Sequence, residues 1–174
     1  MKPKTITAEY SIPTTAQIIA NYFLWLSNES GSFLSNLKLQ KLLYYAQGWH
    51  LGLGNGRLFK DQMQAWVNGP TIPSIYGRYK KFSHQPIAET VHKPELPPST
   101  EQFLREFAKV FFPLDAYYLE LATHKESPWL NARGGLPPDA SCKKPISEAD
   151  ILDHFANMAR KGALHRSRWT GRPQ

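Results

Sequence analysis

The chain has 174 residues, of which 41% are hydrophobic and 20% charged, and its formal net charge at neutral pH is +7. This composition is typical of one globular domain and excludes disorder along the whole chain, while the single cysteine, Cys142, excludes a disulfide framework and a multi-cysteine zinc site. No apolar run approaches the roughly 18 residues that a membrane-spanning helix needs, and residues 1–13 lack the apolar stretch of a secretory signal, so we expect a cytoplasmic protein that does not enter a membrane.

The N-terminal part of the sequence predicts a loose segment followed by a helix. Residues 1–13 carry prolines near both ends, and these discourage regular structure. Over residues 14–28 the apolar side chains recur at the spacing of one helical face, with Thr14 or Thr15 as the N-cap. Gly31 and the serines beside it indicate where this helix ends.

Residues 36–53 predict the longest helix, which Ser35 or Asn36 caps. The pattern places Lys41 and Gln47 outside the buried stripe of this helix. The stripe consists of Leu39, Leu42, Leu43, Ala46, Trp49 and Leu53, with Tyr45 at its edge. Tyr44 also lies off the stripe, where its ring could serve an interface with a partner.

The next part of the chain predicts short elements separated by turns. Residues 63–67 favour a single helical turn, and residues 68–70 (Asn-Gly-Pro) are a turn signal. Pro73 suits the first turn of a short helix that contains Tyr76. Residues 83–98 hold four prolines and little periodicity, so we predict a loop there.

A helix is predicted over residues 99–112. Ser99 as N-cap and Gln102 three residues later form a capping box, and Pro113 ends the helix. The residues that face inward are Phe103, Leu104, Phe107, Val110 and Phe111. Three further helices follow, each with its own capping residue. The caps are Asp115, Ser127 and Ser147, and the helices run to Thr123, Arg133 and Arg160, respectively.

These elements predict a mostly α fold, a compact single domain of about six to eight helices. At most a small β-hairpin is expected, around residues 54–62 or 84–93. The domain covers residues 14–160, between the loose segment 1–13 and a basic tail over residues 161–174.

The positive charge is concentrated at the C-terminus. Residues 160–174 hold five of the 21 Lys and Arg residues and none of the 14 acidic residues, so the rest of the chain has a net charge of only +2. This segment, with the single aromatic residue Trp169, could contact nucleic-acid phosphates. Alternatively it is a solvated chain end.

Few residues of the sequence suggest a catalytic or metal-binding role. The sequence contains none of the common motifs for nucleotides, zinc proteases or serine hydrolases, and we predict no catalytic residue, metal site or cofactor. His124 and Glu126, near a helix end, could perform acid–base work, with His50 as a third member. The alternative is structural, because a histidine near a helix C-terminus can bond the free carbonyls there.

Four segments, at residues 37–49, 65–70, 72–76 and 123–129, together resemble the Panacea domain, also called the SocA-like antitoxin or phage-associated GepA-like domain. The resemblance covers residues 14–158, in the same order and spacing. The matching positions are Leu39, Gln40, Lys41, Leu42, Tyr44, Tyr45, Trp49, Trp66, Gly69, Pro70, Pro73, Tyr76, Thr123, His124, Pro128 and Trp129. Asn68 departs from the pattern, since the family often has an aromatic residue there.

The resemblance implies a mainly helical antitoxin of bacterial or phage origin. Such a protein neutralises a cognate toxin by binding it directly or by delivering it to an energy-dependent protease. No catalytic residues are established for the family, so the matching positions are expected to be chiefly structural. An enzyme using His124 and Glu126, or a nucleic-acid-binding protein using residues 160–174, are the alternatives.

Overall fold

The computed structural model describes residues 14–162. The predicted loose segment 1–13 and residues 163–174 of the predicted basic tail lie outside this part of the chain. Within it, the chain forms seven α-helices, one 3-10 helix and one hairpin, which confirms the predicted mostly α fold with a small hairpin. None of the helices in this range is both long and apolar enough to span a membrane.

The elements follow the chain in a simple order. They are α1 (Ala16–Ser30), α2 (Asn36–Gly52), β1 (Gln64–Trp66), β2 (Gly69–Thr71), α3 (Pro73–Tyr79), the 3-10 helix (Lys80–Phe82), α4 (Pro98–Phe111), α5 (Ala116–Thr123), α6 (Ser127–Arg133) and α7 (Glu148–Arg160).

Helix α2 lies at the centre of the molecule and contacts α1, α3, α4, α5, α7 and β2. Because neighbours surround it, polar as well as apolar side chains of α2 are buried. The prediction that Lys41 and Gln47 lie outside the buried part is therefore wrong: their exposed fractions are 0% and 4%. Tyr44 is 0% exposed, so its ring is not available to a partner.

Two glycines allow α7 to pack closely on α2. A Cβ atom on Gly48 would lie 2.1 Å from Cε2 of Phe155, and one on Gly52 would lie 2.6 Å from the Phe155 backbone carbon. The Phe155 ring fills this strip and makes an edge contact with Trp49 at 5.3 Å between centroids. Close packing of this kind leaves no room for even one added methyl group.

The hairpin corrects two sequence predictions. Strands β1 and β2 are antiparallel, with Ala65 opposite Pro70, so residues 63–67 are not a helical turn, and the hairpin lies at neither 54–62 nor 84–93. The other edge of β1 is paired with a distant segment: Ala65 N–H donates to the Lys144 carbonyl at 2.9 Å. Because this pairing partner lies about 80 residues away along the chain, the periodicity of the sequence around β1 does not indicate it.

The predicted N-caps are partly confirmed. Four of them accept a hydrogen bond from the first turn of their helix, and these are Thr15, Ser35, Asp115 and Ser147. The capping box at Ser99 is wrong, since α4 begins at Pro98 and has no side-chain cap. Proline suits the first helical position, because its fixed φ is helical and its missing N–H has no partner there. Likewise Ser127 is the first residue of α6 and does not cap it.

Candidate functional site

A buried lysine of α2 binds the turn of the hairpin. Lys41 is fully buried, and its Nζ donates a 2.8 Å hydrogen bond to the carbonyl of Pro70. Burial lowers the pKa of Lys41 to about 7, against a smaller opposing effect of the Glu120 carboxylate. The preceding Gly69 has φ +92°, and a Cβ atom there would lie 2.6 Å from Oγ1 of Thr123 and 2.8 Å from Lys41 Nζ. Only glycine permits this approach.

Two side chains of α6 bind the other strand. The indole Nε1 of Trp129 donates to the Trp66 carbonyl at 2.8 Å, and Nη1 of Arg133 donates to the Ala65 carbonyl at 2.9 Å. Arg133 is only 2% exposed, and its Nη2 also donates to carbonyls of the loop at residues 134–145. We call Lys41, Trp129 and Arg133 the hairpin clamp, since together they donate hydrogen bonds to three carbonyls of the two strands.

His124 belongs to the surroundings of this clamp. Its ring stacks on that of Trp129, with 4.3 Å between centroids and an angle of 22°. The guanidinium carbon of Arg133 lies 4.6 Å from the centroid of the same indole. Burial is the main cause that lowers the pKa of His124, although Glu120 opposes it. The His124 ring therefore packs on an indole that also contacts a guanidinium group.

Glu126 does not pair with His124. Its Oε2 lies 3.3 Å from Nε2 of His154 on α7, and its Oε1 accepts a 3.1 Å hydrogen bond from the hydroxyl of Tyr45. The pKa of Tyr45 is raised well above its usual value, by burial first and then by the Glu126 carboxylate. Glu126 therefore connects the α5–α6 junction to α2 and α7.

His50 lies elsewhere, at the C-terminal end of α2. Its Nδ1 is 2.7 Å from the Gly56 carbonyl, and its ring meets Phe103 edge-on at 4.9 Å. Burial lowers its pKa. It lines a pocket of about 460 Å³ together with Arg57 and Thr100. The structure thus gives His50, His124 and Glu126 separate partners and does not bring the three together.

A second set of buried polar groups fixes α3 against α2. Nε2 of Gln40 donates to Oδ1 of Asn36 at 3.1 Å, and Oε1 of Gln40 accepts from the Ile72 N–H at 2.8 Å. Nδ2 of Asn36 then donates to the Tyr76 carbonyl at 3.1 Å. Both amide side chains are 2% exposed, so this bridge holds the position of Tyr76 without help from solvent.

The hairpin and α3 form one wall of a groove of about 400 Å³. The rings of Trp66 and Tyr76 stand edge to face in this wall, with 5.0 Å between centroids. Lys80 and His84 follow along the chain, and Lys143 approaches from the loop before α7. We call this the hairpin groove. Its size is that of a site for a small ligand or a few side chains.

The positions that resemble the family pattern divide into two groups. Most are buried, and these are Leu39, Gln40, Lys41, Leu42, Tyr44, Tyr45, Trp49, Gly69, Pro70, Thr123, Pro128 and Trp129. The partly or largely exposed ones are Trp66, Pro73, Tyr76 and His124. Of these four, Trp66 and Tyr76 line the groove, together with the buried Gln40.

Sequence reasoning missed two residues of this region. From the sequence, Arg133 is predicted only as the end of a helix, although it follows Trp129 by four residues and so shares a helical face with it. His154 precedes Phe155, a buried position, and its partner Glu126 is 28 residues away. Within residues 14–162, no group of three or more His, Cys, Asp and Glu side chains is placed to hold a metal ion.

Comparison with known proteins yields one match. The family model of the SocA-like antitoxin with a Panacea domain matches residues 39–130, whereas no curated protein and no solved structure matches the chain. The matched range contains Lys41 and Trp129 of the hairpin clamp and Trp66 and Tyr76 of the hairpin groove. It spans more than half of the 174 residues. The chain therefore belongs to the SocA-like antitoxin family and carries its Panacea domain.

Proposed function

We propose that this protein is an antitoxin that binds a cognate toxin protein and neutralises it. The observation that carries the proposal is the match of the antitoxin family model over residues 39–130. The structure agrees with a binding role, because buried hydrogen bonds hold the hairpin and α3 in fixed positions next to a groove with exposed aromatic rings. A surface fixed before binding loses little conformational entropy on association.

Direct binding is the mode of neutralisation that these features favour. Delivery of the toxin to an energy-dependent protease is the second mode, and it also requires that the toxin be bound first. We place both in the cytoplasm, in agreement with a chain whose single cysteine, Cys142, forms no disulfide.

The test is co-expression with the products of the adjacent genes. We expect one of these products to arrest growth, this chain to restore growth, and the two proteins to co-purify as a complex. Rescue that persists in a strain without its energy-dependent proteases indicates direct inhibition, and rescue lost there indicates delivery. If no adjacent product is either neutralised or bound, the proposal is wrong.

Two alternative functions remain from the sequence, an acid–base enzyme and a nucleic-acid-binding protein. The acid–base hypothesis, an enzyme that uses His124 and Glu126 with His50 as a third member, stays a prediction. The hydrogen bonds of Glu126 to Tyr45 and His154 do not favour it. The nucleic-acid hypothesis stays a prediction, since residues 163–174 lie outside the described part of the chain. A salt titration of DNA binding, with and without residues 163–174, tests it, because phosphate contacts weaken steeply with added salt.

A further inference from the structure

Among the described residues, the charged side chains that line the hairpin groove are all cationic. Lys80 and Lys143 line it with exposed side chains, and neither forms an ion pair with a described residue. The neighbouring Arg78 and Lys81, by contrast, both pair with Glu89. None of the described residues that line the groove is acidic. Two unpaired ammonium groups beside a groove create a local potential that attracts anionic groups.

The wall of the groove formed by Trp66 and Tyr76 presents apolar ring surface and one polar group, the Tyr76 hydroxyl. Nε1 of Trp66 donates a 2.7 Å hydrogen bond to Gln64, so the indole has no free donor and presents apolar surface. Tyr76 is 39% exposed, and its hydroxyl has no hydrogen-bond partner within residues 14–162. Tryptophan and tyrosine are the residues most enriched where protein partners bind tightly.

The wall is also fixed in place. The Trp66 carbonyl is bound by Trp129, and the Tyr76 carbonyl is bound by Asn36. Ser83, which also lines the groove, has φ +52°, a backbone conformation that favours glycine, and among the described residues no other non-glycine residue has positive φ. Strained backbone of this kind persists where the surroundings hold it, and it is concentrated at functional sites.

From these observations we infer that the hairpin groove is the surface that receives the toxin. Its occupant is an acidic segment of the toxin that places an apolar side chain against Trp66 and Tyr76 while its carboxylates face Lys80 and Lys143. This inference rests on the proposed antitoxin function and adds to it a surface and the chemistry of the partner. The match between cationic rim and anionic segment determines orientation and association rate, and the aromatic pair supplies apolar contact.

The test uses the adjacent-gene product that arrests growth as the probe, in purified form. Its dissociation constant for the full chain is measured by calorimetry at about 50 mM and about 300 mM NaCl, a range over which exposed charge pairs become screened. We expect the double variant Lys80→Glu and Lys143→Glu to bind at least about tenfold more weakly than the unaltered chain at about 50 mM NaCl. Because carboxylates would then face carboxylates, added salt should strengthen the binding of this variant, whereas it weakens the binding of the unaltered chain.

A matched control carries the same change in net charge elsewhere. Lys60 and Lys161 are exposed and do not line the groove, so Lys60→Glu with Lys161→Glu is expected to change affinity by less than about twofold. Tyr76→Ala is expected to weaken binding about tenfold, and Tyr76→Phe to retain most of it. Thermal melts of every variant separate loss of binding from loss of folding.

The outcomes distinguish failure of the proposed toxin-binding groove from failure of the proposed antitoxin function. If the unaltered chain binds and rescues but the groove variants bind as the control does, the groove is wrong and the antitoxin function stands. If the unaltered chain binds no growth-arresting product, both fall. If the groove variants instead change the mass of the free chain in sedimentation, the groove joins two copies of this chain, and the toxin is not its occupant.

Discussion

Helices α2 and α4 have similar lengths, 17 and 14 residues, but their sequences reveal their burial to different extents. In α4 the apolar pattern coincides with the buried face, whereas Arg105 and Lys109 point to solvent. In α2 the pattern finds Leu39, Leu42 and Leu43 but misses Lys41 and Gln47, which are equally buried. It also includes Leu53, which is only partly buried and follows the end of α2, and it omits the buried Leu51. A 3.6-residue pattern therefore identifies the buried face only when a helix has a solvent side to contrast with it.

The largest effect is expected in α4, where burial follows the pattern. Phe107 is 0% exposed and stacks on Phe111 at 4.5 Å, so Phe107→Ala should lower the free energy of unfolding by about 3–5 kcal/mol. Lys109→Ala on the opposite face is the control and should change it by less than about 0.5 kcal/mol. Urea denaturation measures both. Equal values for the two variants would mean that α4 is not amphipathic in the folded chain.

The same substitution, Gln→Leu, made once in α2 and once in α4, tests whether polar side chains are buried in α2 and exposed in α4. In α2, Gln47 accepts from the N–H of Leu58 and donates to the carbonyl of Phe59, both at 2.8 Å. Gln47→Leu keeps the volume but leaves these buried groups unpaired, so we expect a loss of about 2–4 kcal/mol. In α4, Gln102 is exposed, and Gln102→Leu should cost less than about 0.5 kcal/mol. Similar costs in urea denaturation would contradict the different surroundings of the two helices.

The sequence predicted those features that depend only on residues close together in the chain, such as helix caps and amphipathic helices. Caps such as Ser35 act within one turn of their own helix, and the amphipathic pattern of α4 lies within a single element. The sequence predicted a small hairpin but not its position, because β1 pairs with residues 144–146 as well as with β2. The buried role of Lys41 was also missed, because its acceptor on Pro70 is 29 residues away.

The candidate site was predicted in the same partial way. The resemblance to the family selected Trp66 and Gly69, which lie in the hairpin, and Tyr76 and Trp129, which contact Trp66. It attached no role to Arg133, whose partner Ala65 is 68 residues away. Contacts between distant segments depend on the packed fold, so only the folded structure reveals which polar groups meet.

Lys41, which is buried in α2, makes the stability of the folded chain depend on pH. Its pKa is about 7 in the folded chain and roughly 10.4 in an unfolded one. Below pH 7 both states bind the proton. Between these two values the unfolded chain alone holds it, so stability rises with pH across this window. From pH 7 to pH 9 the gain is on the order of 2 kcal/mol.

Replacing the amine should remove this gain. In Lys41→Met the stability increase between pH 7 and pH 9 is expected to disappear, whereas Lys109→Met should keep the profile of the unaltered chain. Urea denaturation at a series of pH values measures both. An unchanged slope in Lys41→Met would show that Lys41 is not the group that titrates.

The smallest effect concerns the first turns of the same two helices, where a serine precedes α2 and another lies just inside α4. Oγ of Ser35 accepts from the Lys38 N–H at 3.2 Å, so Ser35→Ala should cost about 1 kcal/mol. Ser99 caps nothing, since α4 begins at Pro98 without a side-chain cap, and Ser99→Ala should cost less than about 0.5 kcal/mol. A larger cost for Ser99→Ala than for Ser35→Ala in urea denaturation would restore the capping box that the sequence predicted. Because the substitution is identical, the difference between the two costs isolates the cap.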